Sequence, residues 1–205
     1  MLKVGVIIDK IIEVTHPLVT IIKSITGTGR GEVTVISIQS QPEELSELLN
    51  INIEKIYFIE DIENLNLELD IYFSSTPSFL YKIQSKGFLG GYINLESDEC
   101  QIAFDHRLFL DKVTYIVMED WLELIGYLQK ETKIKVSLVT TRQCSVSSEI
   151  RNLFKKANCK IDLICFLAVG EKKEIIDFFS PCLYFEGEKR DTMNIIASSN
   201  PLLFV

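Results

Sequence analysis

Histidine and tryptophan are nearly absent from this chain: two of the first and one of the second among 205 residues. His16 and His106 stand far apart, without clustered ligand-type neighbours. That scarcity argues against a histidine-built metal site and leaves no basis for a Ser/His/Asp triad. Cysteine occurs five times, an odd number, and no two are spaced Cys-x-x-Cys, so neither a disulfide framework nor a zinc site is expected. Cys159, Cys165 and Cys182 fall in or beside apolar runs, where a reduced thiol behaves as a small hydrophobe. Positive charge is in deficit, with 21 basic against 29 acidic side chains and a net charge of −8. Basic runs are short, such as Lys155-Lys156 and Lys172-Lys173, and read as solvated helix faces. Nucleic acid needs a clustered basic surface and is not the expected partner. Long hydrophobic runs are missing too. Leu163 to Val169 falls far short of the roughly 20 residues that cross a bilayer, so no membrane partner is expected. The opening Met-Leu-Lys-Val-Gly-Val-Ile-Ile reads as a core strand rather than a signal peptide, and the expected location is cytoplasmic.

What is present is an ordinary globular composition, 47% apolar and 24% charged, long enough for one large domain or two small lobes. Short Val/Ile-rich runs alternate with amphipathic segments from end to end, the pattern of a parallel sheet covered on both faces. Strands are expected at Lys3–Ile8, Glu32–Ile38, Lys55–Ile59, Asp70–Phe73, Gly91–Leu95, Val113–Val117, Lys135–Val139, Lys160–Phe166, Leu183–Phe185 and Asn194–Ala197. One helix is expected from Trp121, Leu124, Ile125 and Leu128, opened by Glu119-Asp120 and closed near Lys130. Another is expected from Ile150, Leu153, Phe154 and Ala157, opened by Ser145. Pro17, Pro42, Pro77 and Pro201 each follow a strand-like run and mark strand-to-helix junctions, because proline at the first helical position sacrifices no hydrogen bond.

The chain also echoes itself. Ile71-Tyr-Phe-Ser74-Ser75-Thr76-Pro77 and Ile195-Ile-Ala-Ser198-Ser199-Asn200-Pro201 share a strand followed by Ser-Ser-x-Pro. Working backwards, Lys55–Phe58 matches Pro181–Phe185, Pro42–Leu49 matches Lys172–Phe179, Glu32–Ile38 matches Lys160–Phe166, and Lys3–Ile8 matches Lys135–Val139. The expected fold is α/β: two Rossmann-like, flavodoxin-like halves with mainly parallel sheets, pseudo-duplicated. The first lobe would span residues 1–130, including an unmatched extension at 88–118, and a shorter second lobe would span 131–205. The apolar Leu202-Leu-Phe-Val205 end must dock on its own core or on another subunit, so a homodimer through the C-terminal half is one expectation.

Ligands of open α/β sheets bind beyond the carboxyl ends of the strands, where helix N-termini present N–H groups. Ser74, Ser75 and Thr76, with Ser198, Ser199 and Asn200, are therefore the first candidates for holding a carboxylate or phosphate across a shared cleft; the same residue types are also the preferred helix caps. Thr141 and Arg142, in the turn after the Lys135–Val139 strand, could pair with an anion. Cys144 beside them could have thiolate character or be an ordinary loop cysteine. His16 reads as a helix cap. Asp105-His106-Arg107 could work as an acid/base group, although such a triplet is also what a surface turn carries. Gly27-Thr28-Gly29-Arg30-Gly31 follows a helix and precedes a strand, the reverse of the dinucleotide fingerprint, and reads as a helix C-cap and loop. No cofactor is expected.

Strand, Ser-Ser-x-Pro, helix, present twice in a two-lobed chain, resembles the layout of uroporphyrinogen-III synthase. In that family a strand ends in Thr-Ser before a helix and the tetrapyrrole precursor lies between the lobes. Val136 to Phe166, with its Thr-Arg turn, also resembles half of that enzyme, whereas the first strand here ends in Ile8-Asp9-Lys10 without Thr-Arg. The resemblance implies a tetrapyrrole enzyme. The residues themselves suggest a broader function: a small anionic molecule bound between two lobes, with or without cofactor-independent chemistry. A non-catalytic sensor or assembly module that dimerises is the competing class.

Overall fold

The computed structural model describes residues 1–8, 13, 15–37, 42–50, 52, 55–58, 68–110, 112–140, 148–166 and 177–187. In chain order these form β1 (Leu2–Ile8), α1 (Pro17–Thr28), β2 (Gly31–Ser37), α2 (Pro42–Leu49), β3 (Ile56–Phe58), β4 (Ile71–Ser74), α3 (Pro77–Ser85), β5 (Leu89–Ile93) and β6 (Gln101–Asp105). A 3-10 helix (His106–Leu110), α4 (Lys112–Glu131), β7 (Lys135–Thr140), α5 (Ser148–Lys156), β8 (Leu163–Phe166) and β9 (Leu183–Phe185) follow. The strands make one nine-stranded sheet in the order β3-β2-β1-β4-β5-β9-β6-β7-β8. The fold class is α/β with a mostly parallel sheet, as the alternating pattern predicts.

Local chemistry sets most element boundaries. Pro17, Pro42 and Pro77 each occupy the first residue of a helix. His16 accepts a hydrogen bond from the Leu18 amide through Nδ1, so it caps α1 as expected, and its Nε2 lies 2.9 Å from the Asn94 carbonyl. Gly29, at φ 65°, ends α1 in the left-handed conformation that glycine adopts without strain, which confirms the cap reading of the glycine run. Leu18, Ile21, Ile22 and Ile25 form the buried stripe of that helix at helical spacing.

Two sequence expectations fail here. Val113–Val117 lies within α4, not in a strand: Val117 packs beside the stripe of Met118, Trp121, Leu122 and Ile125 while Ile116 is exposed, and packing overrides a weak β preference. Glu119-Asp120 consequently sits mid-helix rather than at its start. Conversely, Gln101-Ile-Ala-Phe-Asp105, unremarked in the sequence, is a fully buried strand paired on both sides. Segment 88–118 is thus no mere connector, since it supplies β5 and β6 at the middle of the sheet. The helix expected at Lys172–Phe179 lies mostly outside the described residues, and the strand at Asn194–Ala197 wholly so.

Strand direction decides the rest. β1 to β5 run parallel with one another, and so do β9, β6, β7 and β8, but β5 meets β9 antiparallel. The sheet therefore contains two four-strand runs, β3-β2-β1-β4 and β8-β7-β6-β9, pointing opposite ways with β5 between them. The sequence echo places the strands differently. Under it β9 should flank β8 as β3 flanks β2, yet β9 sits between β5 and β6. Across residue 130, β6 pairs with β7, and one apolar cluster joins Val4 and Ile22 to Leu138 and Phe185.

Right-handed crossovers explain which face each helix covers. The steps β1 to β2 and β6 to β7 move outward from the sheet centre in opposite directions, but on strands of opposite polarity, so both put their helices on the same face. Residues of α1, α2, α4 and α5 accordingly share one cluster with the strands, including Leu18, Leu45, Trp121 and Phe154. The step β4 to β5 moves against β1 to β2 on strands of the same polarity. Its helix α3 covers the other face, packing Phe79 and Ile83 on Ile7, Ile36 and Tyr72.

At the start of β7, Asp162 accepts from the Val136 amide at 3.0 Å and pairs with Lys160 at 2.8 Å. Burial works to raise its carboxyl. The hydrogen bonds from Lys160 and Val136, with the charges of Lys160 and Lys135, outweigh burial and hold it below the usual carboxylate range. A lowered carboxylate contributes stability that is present above its unfolded value and is lost as pH falls through the folded one. In Asp162→Asn the melting temperature should be lower than wild type at pH 7, by the equivalent of about 1 kcal/mol. That gap should close as the pH is taken below about 4. A gap that persists unchanged to pH 3 would rule the carboxylate out as its source.

Candidate functional site

The order β3-β2-β1-β4-β5 reverses its direction of travel between β1 and β4, and β8-β7-β6-β9 does so between β6 and β9. In sheets of this kind the usual ligand position is a crevice beyond the carboxyl ends of the two strands at such a reversal. Because the two runs are antiparallel, these two positions lie on opposite edges of the sheet.

The β1/β4 crevice holds Ser74, Ser75 and Thr76. Ser74 is fully buried and its Oγ accepts from the Thr76 amide at 3.1 Å, a turn that leads the chain into α3. Thr76 occupies the N-cap position without capping α3 through its side chain, and neither α1 nor α3 carries an acid in its first turn. Nearby, His16, Asn94, Ser97 and Ser180 are joined by hydrogen bonds: Asn94 Nδ2 donates to Ser180 Oγ at 2.9 Å, and Ser97 Oγ donates to the Ser180 carbonyl at 2.6 Å. These polar groups are employed in holding chain segments together.

The β6/β9 crevice is built differently. One step past the Phe104–Phe185 pair, Asp105 and Glu186 come side by side on the face that carries Ala103 and Tyr184. Asp105 is 1%, Glu186 4% and His106 5% exposed, so Asp105-His106 is not the surface turn that the sequence suggested. Asp105 Oδ1 accepts from the Arg107 amide at 3.0 Å, its Oδ2 lies 3.7 Å from Arg107 Nε, and Tyr184 donates its hydroxyl to Glu186 Oε2 at 2.9 Å. Gly187 presses against the Arg107 and Leu108 backbone so closely that a Cβ would lie 2.8 Å from the Leu108 nitrogen. Larger residues are excluded, and the end of β9 is pinned to the 3-10 helix.

His106 Nδ1 lies 3.1 Å from Asp105 Oδ1, but off the line a hydrogen bond requires, and neither ring nitrogen has a hydrogen-bond partner among the described residues. A buried polar group left in that condition costs about 1–3 kcal/mol. The one other such atom among the described residues is Trp121 Nε1, which is enclosed by the rings of Phe73 and Phe185 in the core. His106 is the one that directly follows β6, at the reversal of strand order.

No protein family model, no curated protein and no solved structure matches the chain.

Of the residues expected to bind a ligand, Ser74, Ser75 and Thr76 share one crevice. Thr141, Arg142, Cys144, Ser198, Ser199 and Asn200 lie outside the described residues. Thr140, the last residue of β7, marks where the Thr141-Arg142 turn departs. It stands at the edge of Asp105, whose strand neighbour is Val139, and not at the edge of Ser74. β4 and β7 are four strand steps apart, about 19 Å, with their carboxyl ends opposed. The turn that begins at Thr141, and with it any cleft shared with Ser74, Ser75 and Thr76, lies outside the described residues. Sequence reasoning missed Glu186; an acid directly following the apolar run Leu183-Tyr-Phe was its available signal.

Among the described residues, no three His, Cys, Asp or Glu side chains lie close enough to hold a metal ion, and no helix is long and apolar enough to cross a membrane. A 270 Å³ groove lined by Met1, Leu2, Arg30, Asp120 and Glu123 lies at the amino end of β1, where acids and a base of mixed sign select no ligand.

Proposed function

We propose that this protein binds a small polar molecule with an anionic group in the β6/β9 crevice, and that His106 exchanges a proton or hydrogen bond with it. The observation that carries this reading is the buried, unpartnered imidazole of His106 beside Asp105, at the point where strand order reverses. Arg107 supplies positive charge for the anionic group, and the Asp105 and Glu186 carboxylates supply acceptors. Asp105 stands where it can steady the Nδ1 side of the ring, so that Nε2 faces the ligand as acid or base without a cofactor. The two runs of order 3-2-1-4 support a refined duplication, in which β1 corresponds to β6 rather than to β7 and each copy carries its own crevice.

A group kept for binding is paid for in stability. His106→Leu should therefore melt at or above the wild-type temperature, by up to the equivalent of about 1 kcal/mol, or roughly 2–4 °C. The same variant should lose the melting shift that wild type shows with its ligand, about 2.7 kcal/mol at a hundredfold excess over Kd. The panel comprises phosphates, carboxylates and tetrapyrrole precursors. A His106→Leu protein that melts well below wild type would mark the imidazole as structural and defeat the reading.

A second reading places the anion at α3, favoured by the absence of a side-chain cap from Thr76 and of acids in the first turns of α1 and α3. A shift lost in Ser75→Ala but kept in His106→Leu assigns the ligand there. No shift with any compound, together with a concentration-dependent dimer by light scattering, favours the assembly module.

A further inference from the structure

Two of the cysteines meet at the amino ends of the strands whose carboxyl ends carry Asp105 and Glu186. Cys100 directly precedes β6 and Cys182 directly precedes β9, and these strands are parallel neighbours in the register Ile102–Leu183. One step back, Gln101 stands beside Cys182, whose Sγ donates to the Gln101 carbonyl at 3.2 Å. A strand spacing of about 4.8 Å and a step of about 3.3 Å place the Cys100 and Cys182 Cα atoms about 6 Å apart. That lies within the span of roughly 4.4–6.8 Å that a disulfide bridges. Both sulfurs pack on the same apolar cluster, close enough for each thiol to shift the other's ionisation. Cys182 is sealed from solvent while Cys100 is only half-buried, so a small oxidant reaches one sulfur and the other waits behind it.

We propose that Cys100 and Cys182 form a reversible dithiol–disulfide site, oxidised by a peroxide, which ties β6 to β9 behind the crevice. Cys100 attacks one peroxide oxygen, forming a sulfenic acid and releasing hydroxide, which takes up a proton to become water. Cys182 then attacks the sulfenic sulfur; the S–S bond forms, the S–O bond breaks, and the departing hydroxide leaves as water with the Cys182 proton. Two thiols and hydrogen peroxide thus become one disulfide and two waters, and a dithiol reductant reverses the change.

The surroundings of the sulfurs divide the labour. The neighbouring Cys182 thiol lowers the Cys100 thiol against the opposing effect of burial, while that same contact and burial push Cys182 up. Cys100 is accordingly the attacking sulfur and Cys182 the resolving one. Elsewhere, burial and the Asp162 charge push Cys159 up to about 12, and burial raises Cys165, which keeps both as inert thiols. The site does not depend on what the crevice binds, and its test does not use a ligand.

The test is peptide mapping of the native full-length protein after stoichiometric hydrogen peroxide and quenching with iodoacetamide. The expected product is a Cys100–Cys182 linked peptide pair, about 2 Da lighter than the two thiol peptides together and split again by dithiothreitol. Cys182→Ser should leave Cys100 as a sulfenic acid captured by dimedone, and Cys100→Ser should leave Cys182 unmodified. Wild-type mapping requires no variant to fold. A wild-type Cys100 that is captured by dimedone or stays reduced while Cys182 remains a free thiol would overturn the proposal. So would a linkage of either residue to Cys144, or one that forms only in denaturant.

Discussion

Phe185→Ala should unfold about 6–20 °C below wild type, the equivalent of roughly 3–5 kcal/mol for an aromatic ring deleted from a closed core. Phe185 lies on β9, the strand that joins the two oppositely directed runs, and is fully buried. Its ring stacks on Phe104 at 5.1 Å, meets Phe73 edge-on at 5.8 Å and lies 6.0 Å from Trp121. Gly91, across the antiparallel pairing, leaves it room: a Cβ there would lie 2.9 Å from two Phe185 ring carbons. Removing the ring leaves a cavity bounded by β4, β5, β6 and α4, which cannot all close inward together. Phe178→Ala is the matching control, because Phe178 is 81% exposed and should leave the melting temperature unchanged. Equal melting of the two variants would show that the strands on either side of β9 do not depend on this ring. Differential scanning calorimetry measures both.

Gly126→Ala should also destabilise, although the same change in most helices stabilises by about 1 kcal/mol. Gly126 lies within α4, and a Cβ there would meet the Ala157 carbonyl oxygen at 2.5 Å and the Asn158 carbonyl carbon at 2.8 Å. Both are backbone atoms, and Asn158 is held at φ 52° where α5 ends, so no rotamer change relieves the contact. Separating α4 from the end of α5 costs more than the helix preference returns. A net loss of about 2 kcal/mol, or roughly 4–8 °C, is expected. Gly27→Ala in α1 supplies the opposite sign: nothing lies within 4 Å of its Cβ, so the helix preference acts alone and the variant should melt slightly higher. If both substitutions stabilise, the close approach of α4 to the end of α5 is wrong.

The part of the structure that was legible in sequence is the part set by neighbours along the chain. Pro17, Pro42 and Pro77 announced three helix starts, and the Val/Ile runs announced β1, β2 and β7. Gln101-Ile-Ala-Phe-Asp105 escaped because its flanking Gln and Asp disguise a buried strand. The Gln101 amide is satisfied by a partner distant in sequence, Ser137 Oγ, 2.6 Å from its Nε2, whereas Asp105 accepts from the nearby Arg107 amide. The internal echo was read without that strand, with β7 matched to β1, and the strand order does not follow that match. The candidate crevices show the same division. Ser74, Ser75 and Thr76 were found because a Ser-Ser-Thr-Pro junction reads locally. Asp105-His106-Arg107 was noticed as a polar cluster, but its burial, its neighbour Glu186 and the unpartnered ring of His106 exist only across the β6–β9 pairing.

The residue order alone determined an α/β chain, its helix starts and most of its strands, because proline geometry, capping and hydrophobic period act over a few residues. Tertiary structure alone decided that β9 would turn against β5 and come to rest beside β6. A strand's pattern reads the same in either direction, and hydrogen bonding to partners far along the chain settles which way it runs. That single reversal sends the two crevices to opposite edges and sets a histidine next to buried acids.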